Sequence, residues 1–297
     1  MLFRFLFASL ICSALPAWSA PAAWTSPAMM CRISDTAINE ASGIAVSRRN
    51  NGIIYMHNDS GDSARVFAVG KDGQTKAVIT LSGVTVNDCE DMAVAYDAEC
   101  KPTVYMADTG DNGKSRTEVC IYAFEEPLIA PDGSSAPLSV MPKKLRFKYP
   151  DGPRDCETLM ADFKGRALYV VSKETGPAAN VYRLNPLWDD TLQIAVKTGT
   201  ITLSDPLPYY PNLATGGDIS PDGSRIILRT YQQAYEFRVA RGKLPENALK
   251  TTPAVVRIAV ESQGEAICYG RDNRTLLTVS EGVNPTVYSL KWKDPSQ

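Results

Sequence analysis

The chain has 297 residues and a formal net charge of −2, with 44% hydrophobic and 22% charged residues. It is long enough for one large domain or two ordinary ones and too apolar for intrinsic disorder. Its acid–base balance lacks the basic footprint of a nucleic-acid binder, and a single histidine, His57, excludes poly-histidine zinc sites.

Met1 to about Ala22 carries one positive charge, Arg4, then an apolar run to Leu15 and small residues. This pattern reads as a secretory signal peptide over 1–22, leaving 23–297 as one exported domain, periplasmic or secreted. The apolar run is too short to span a bilayer, so no stable membrane insertion is expected. Six cysteines remain after it: Cys31, Cys89, Cys100, Cys120, Cys156 and Cys268. An even count in an exported chain suggests disulfides. Cys89–Cys156 is the preferred pair, because each precedes an acid at the start of neighbouring repeats.

Five segments then follow one plan: an acid, a small apolar strand, a turn, a second strand, a polar loop and a third strand. The first runs Glu40-Ala-Ser-Gly-Ile-Ala-Val, Gly52-Ile-Ile-Tyr-Met, His57-Asn-Asp-Ser-Gly-Asp and Arg65-Val-Phe-Ala-Val. The second begins at Asp88-Cys-Glu-Asp-Met-Ala-Val and the third at Asp155-Cys-Glu-Thr-Leu-Met. The fourth begins at Gly217-Asp-Ile-Ser and the fifth at Gly264-Glu-Ala-Ile-Cys-Tyr. Short β-branched and aromatic runs bounded by Gly, Asn and Asp read as strands. Asp72-Gly73 and Pro221-Asp222-Gly223 read as turns in which glycine takes positive φ. Helical turns are expected only around 185–195 or 244–250.

Taking Glu40, Glu90, Glu157, Asp218 and Glu265 as the repeated acid gives spacings of 50, 67, 61 and 47 residues. Those lengths suit four-stranded blades of an all-β propeller, five-bladed by this count. Six blades is the alternative, because 127–149 or 185–215 has room for a degenerate unit. Only 32 residues follow Glu265, enough for three strands. The missing strand is expected from Met29–Ile33, closing the ring and burying its sheet edges.

In a blade, the start of the first strand and the loop after the second meet at one mouth of the channel. The five opening acids should therefore join a second set: Asp59, Asp108, Glu174 and Glu281, with Arg229 or Thr230 in the fourth blade. Crowded carboxylates need a cation or donors to stay ionised. All-oxygen ligands suit a hard divalent ion, calcium above others. The expected metal ligands are Glu40, Asp59, Glu90, Asp108, Glu157, Glu174, Asp218 and Glu265, and Glu90, Glu157 and Glu265 are also the candidates for catalytic base. Lys173, Arg229 and Arg154 offer compensation and a seat for an anionic substrate group. Tyr209 and Tyr210 stand on a loop aimed at the mouth and can stack on a ring-shaped ligand. The bland reading is that Asp and Ser/Thr beside Gly cap turns and tie blades together. A His57–Ser60 nucleophile is disfavoured, because no G-x-S-x-G elbow is present.

Glu40-Ala-Ser-Gly-Ile-Ala, Asp88-Cys-Glu-Asp-Met-Ala, Asp155-Cys-Glu-Thr-Leu and Gly264-Glu-Ala-Ile resemble the strand starts of the secreted phytase-like, "esterase-like activity of phytase" group of β-propellers. More distantly the chain is similar to gluconolactonase-type calcium propellers. The resemblance spreads over about 40–290 in short motifs. It implies an exported propeller with a calcium-lined channel and, in some members, ester or phosphoester hydrolysis. Few basic residues stand at the expected mouth, which argues against a highly phosphorylated substrate. Two functions follow as expectations. One is a calcium-dependent hydrolase of a small-molecule ester, lactone or phosphoester, acting as a monomer. The alternative is a non-enzymatic propeller that binds a protein or glycan, its acids serving structural or structural-calcium roles.

Overall fold

In the computed structural model of the chain, which describes residues 24–130, 132–134, 137–162, 166–176, 178–203 and 213–293, the repeats fold as five antiparallel blades around a central axis. The expected leader over 1–22 lies outside the described residues. The N-terminal strand β1 (Ala28–Arg32) is followed by the first blade: β2 (Ala41–Val46), β3 (Ile53–Asn58), β4 (Arg65–Gly70) and β5 (Thr75–Leu81). The second blade contains β6 (Cys89–Tyr96), β7 (Pro102–Asp108) and β8 (Val119–Glu125), then, past β9 (Leu138–Val140), β10 (Lys143–Lys148). The third has β11 (Cys156–Ala161), β12 (Leu168–Ser172) and β13 (Ala178–Leu184), then, past β14 (Gln193–Ile194), β15 (Val196–Thr202). The fourth comprises β16 (Gly216–Ile219), β17 (Arg225–Arg229), β18 (Ala234–Arg238), the short helix α1 (Pro245–Ala248) and β19 (Ala254–Val256). The fifth has β20 (Gly264–Tyr269), β21 (Thr275–Ser280) and β22 (Thr286–Lys291), and β1 completes it by pairing antiparallel with β22.

The stretches considered for a sixth blade are used otherwise. Strand β9 leaves the second blade to pair parallel with β5, and β14 leaves the third to pair parallel with β10. Each laces its blade to the preceding one and covers an outer edge.

One apolar cluster fills each gap between neighbouring blades, and the fifth cluster, between the last blade and the first, makes the ring continuous. Strand alternation supplies both faces of each sheet. Tyr55 and Tyr105, at matching positions of β3 and β7, fill successive gaps. Each side chain of this kind contributes about 2 kcal/mol on burial. At the closure Trp24 packs edge-on against Trp292 at 5.1 Å. Among the described residues no helix is long and apolar enough to cross a membrane.

The cysteine expectation is corrected. All six described cysteines are free, and only Cys100 is exposed. Cys89 packs in the gap between blades one and two, whereas Cys156 packs between blades two and three. Equivalent positions in successive sheets point the same way, so Cys89 turns its sulfur away from Cys156.

Candidate functional site: an acidic channel mouth

The first strands of four blades carry a bulge at their mouth end. Register shifts fall between Ala41 and Gly43, Cys89 and Asp91, Cys156 and Thr158, and Gly264 and Ala266. The extra residue is Ser42, Glu90, Glu157 or Glu265, and a bulge re-aims that side chain off the ladder. This is how Glu90, Glu157 and Glu265 come to the mouth while each is only 4% exposed. Ser42 takes the fourth place and donates from Oγ to the Glu90 backbone carbonyl at 2.6 Å.

Two of the expected acids stand apart from this ring. Glu40 shares the register of Asp88 and Asp155, two residues before the bulge, but it is exposed and belongs to neither carboxylate group of the mouth. Strands β16 and β17 pair without a bulge, so Asp218 stays on the ladder opposite Ile227. Its carboxylate accepts the N–H groups of Ile219 and Tyr269, both at 2.8 Å. Burial pushes its pKa up to about 6, with Arg48 and those donors opposing.

The second set spans three register positions. Asp59, Lys173 and Glu281 each follow the last residue of a second strand. Asp108 is one residue earlier, and a one-residue slip turns a side chain to the other face of its strand. There it accepts the N–H groups of Asn87 and Asp88, both at 3.1 Å, and pairs with Arg116 at 2.8 Å. Glu174 is one residue later and pairs on the rim with Lys114 at 2.9 Å and Arg154 at 3.7 Å.

The mouth therefore gathers Asp59, Asp88, Glu90, Asp155 and Glu157. Their oxygens form two groups, Asp59–Asp88–Glu90 and Glu90–Asp155–Glu157, each within 4.8 Å, and Glu90 belongs to both. Gly110, in Asp108-Thr-Gly110, lies so close that an added Cβ would collide with Glu90 Oε1. Asp88 and Asp155 were visible in the sequence as neighbours of the repeated acid, but only the bulge shows that they point to the same place.

Lys173 lies against Glu157 in a direct ion pair, its Nζ 5.5 Å from the centre of the Tyr231 ring. Burial alone would lower the lysine's pKa, but Glu157 raises it, so the ammonium stays charged. Burial pushes Glu157 up, aided by Glu265 and Asp155 and opposed by Lys173. Among the described residues the other half of the mouth holds no direct ion pair of this kind, although Arg116, paired with Asp108, opposes the rise of Asp88. Burial, Asp59 and Asp155 raise Asp88 to about 7, and burial with Glu157 and Asp59 holds Glu90 well above the ordinary carboxylate range. Burial, Glu265 and Asp59 raise Glu281 to about 7.

One expected substrate contact is corrected. Arg229 is wholly buried, pairing with Glu261 at 3.0 Å and donating to the Ala266 carbonyl at 2.9 Å. Its guanidinium fills the space where Gly264 lacks a side chain, so it braces blade five and reaches no ligand. Arg154 holds the rim, pairing with Asp151 at 3.2 Å. Tyr209 and Tyr210 lie outside the described residues. His57 is buried with Nδ1 against the Asn58 carbonyl at 2.8 Å, while Ser60 is exposed, so the two form no nucleophile pair.

The donor set fits a hard divalent cation. Calcium binds oxygens at 2.3–2.6 Å, so two ligands of one ion stand at most about 5 Å apart, the spread found within each group. Lys173 at the Glu157 edge weights such an ion toward Asp59, Asp88 and Glu90.

No family model matches the chain, and no curated protein matches it. Among solved structures it is distantly similar to a gluconolactonase from Xanthomonas campestris described as important in glucose secondary metabolic pathways. That likeness has 12% identity over 91% of this chain and 86% of the other, with a TM-score of 0.48.

Proposed function

We propose that the protein is an exported hydrolase of a small ester, lactone or phosphoester that depends on a divalent cation, calcium first, held at the acidic mouth. The observation that carries this reading is the position of Glu90 in both carboxylate groups, of which only the one containing Glu157 has a direct lysine partner, Lys173. Asp59, Asp88 and Glu90 would hold the ion, which supplies polarisation of a substrate oxygen when bound. Lys173 offers a fixed positive charge to an oxygen of the substrate. Glu265, buried beside Lys173 and outside both carboxylate groups, is placed to take a proton. Export rests on the apolar leader of the sequence.

Calorimetric titration of the purified chain with calcium, magnesium and manganese tests the reading, together with assays on p-nitrophenyl acetate, p-nitrophenyl phosphate and glucono-δ-lactone. Saturable cation binding, cation-dependent turnover of one substrate, and loss of both in Glu90→Gln are expected. Turnover indifferent to chelator would overturn the reading. Cation binding without turnover of any ester would leave the non-enzymatic binder, with a structural ion, as the better account.

A further inference from the structure

At the end of the ring away from the acids, the fifth and first blades leave a cavity of about 200 Å³ between them. Its floor is apolar: Met30 of β1, Val46, Ile53 and Ile54 of the first blade, and Leu277 of the fifth. Its rim carries Lys71, Arg271 and Lys291, all exposed. None of these three forms an ion pair among the described residues, although most basic groups around the mouth do. The acid of the lining, Asp272, is already engaged, accepting from Thr275 Oγ1 at 2.8 Å and from the Arg274 N–H at 2.9 Å.

Two features hold the cations in place. Lys291 Nζ donates to Thr275 Oγ1 at 2.7 Å. The Lys71 stem crosses Gly52, whose φ is +81°, with methylenes 3.7–3.9 Å from where a Cβ would stand. In a chain of net charge −2, Lys71 and Arg271 stand without an ion pair among the described residues, and only Lys291 is answered by a carboxylate, Asp272, through Thr275 Oγ1, which leaves a local positive excess around one apolar floor.

A ligand for such a pocket needs an anionic head and an apolar body, since a neutral one leaves the cations unanswered and a fully polar one leaves the floor wet. The volume lies below the roughly 300–1,000 Å³ typical of drug-sized sites, so the body is short. We infer that this seam pocket binds a small amphiphilic carboxylate, a short- to medium-chain acyl acid, with its head among Lys71, Arg271 and Lys291. The inference is independent of the reaction at the mouth. Because the pocket is built from both sides of the closure beside β1, an occupant joins the last blade to the first and stabilises the closed ring.

Titration of the full chain with sodium octanoate, 1-octanol and octylammonium chloride, read by calorimetry and by melting temperature, tests this. Octanoate should saturate, raise the melting temperature and bind at least about tenfold more tightly than octanol, with octylammonium weakest. Lys71→Met and Arg271→Met should each weaken octanoate by about fivefold, the upper worth of an exposed charge pair, and leave the ligand-free melting temperature unchanged. Lys144→Met, on the second blade, should leave octanoate binding as it is. Octanoate that does not saturate would overturn the inference, as would octanol binding as tightly or a Lys71→Met/Arg271→Met double variant binding like the parent.

Discussion

The carboxylate of Asp91 accepts the backbone N–H of Leu159, in the next blade, at 2.9 Å. It also accepts the N–H of Met92 at 2.8 Å and that of Gly217, in the blade beyond, at 3.3 Å. One buried side chain thus ties three blades across the axis, immediately beside Glu90. Adjacent acids should therefore have opposite phenotypes. Asp91→Ala strands three buried donors and should cost about 3 kcal/mol or more in denaturant unfolding. Glu90→Gln should melt like the calcium-free parent but lose the cation response. Equal stability of the two variants would contradict this division.

Calcium itself should raise the melting temperature, by about 2.7 kcal/mol of stabilisation at 100 times its dissociation constant. Lys173→Met removes the charge that competes for Glu157. Calcium should then bind about fivefold more tightly, while the calcium-free variant melts lower because Glu157 is left buried without its partner. Weaker calcium binding in this variant would mean that Lys173 does not oppose the ion.

Asp218 sets a pH dependence away from the mouth. Its folded pKa of about 6 exceeds the ordinary aspartate value, so the folded state binds the proton more tightly than the unfolded chain. Its contribution to stability is fully present below about pH 4 and is lost as pH rises toward 6. Asp218→Asn cannot titrate, so the stability difference between parent and variant should change across that window and level off above it. Parallel curves from pH 4 to 7 would show that Asp218 titrates normally.

Ring closure depends on Trp24, which packs against Trp292 at 5.1 Å and Tyr269 at 6.3 Å. Trp24→Ala should cost about 3 kcal/mol and increase aggregation through the loosened edge of β22. A variant within about a degree of the parent melting temperature would show that the closing strand holds without it.

Thiol titration checks the cysteines. In the native protein Cys100 alone should react quickly, and Cys31, Cys89, Cys120, Cys156 and Cys268 only after unfolding, since each is buried. A Cys89–Cys156 crosslink found by peptide mapping would contradict the packing of the two side chains into different gaps.

Much of the architecture was legible in the residues. The alternation of apolar side chains, the Gly-containing turns at 72–73 and 221–223, and a last repeat one strand short favour five blades over six and a closure around Met29–Ile33, where the structure has β1 at Ala28–Arg32, because these features act within a few residues or through simple strand counting. The acids were legible as a population and not as positions. Repeated motifs align by eye on the acid, whereas the fold aligns them on the ladder. A single bulge turns Glu90, Glu157 and Glu265 inward, and its absence in the fourth blade leaves Asp218 bonded to backbone N–H groups.

The sequence by itself determined the propeller and the abundance of carboxylates near one end, with five blades ahead of six, since strand periodicity and turn chemistry are local properties. Only the tertiary structure decided that Asp88 and Asp155 join Asp59, Glu90 and Glu157, that Glu40, Asp108 and Glu174 stand aside, and that Arg229 is a brace. Side-chain direction in a sheet reverses with each residue of register. Register is set by pairing between strands that lie far apart in the chain, which no motif taken alone contains.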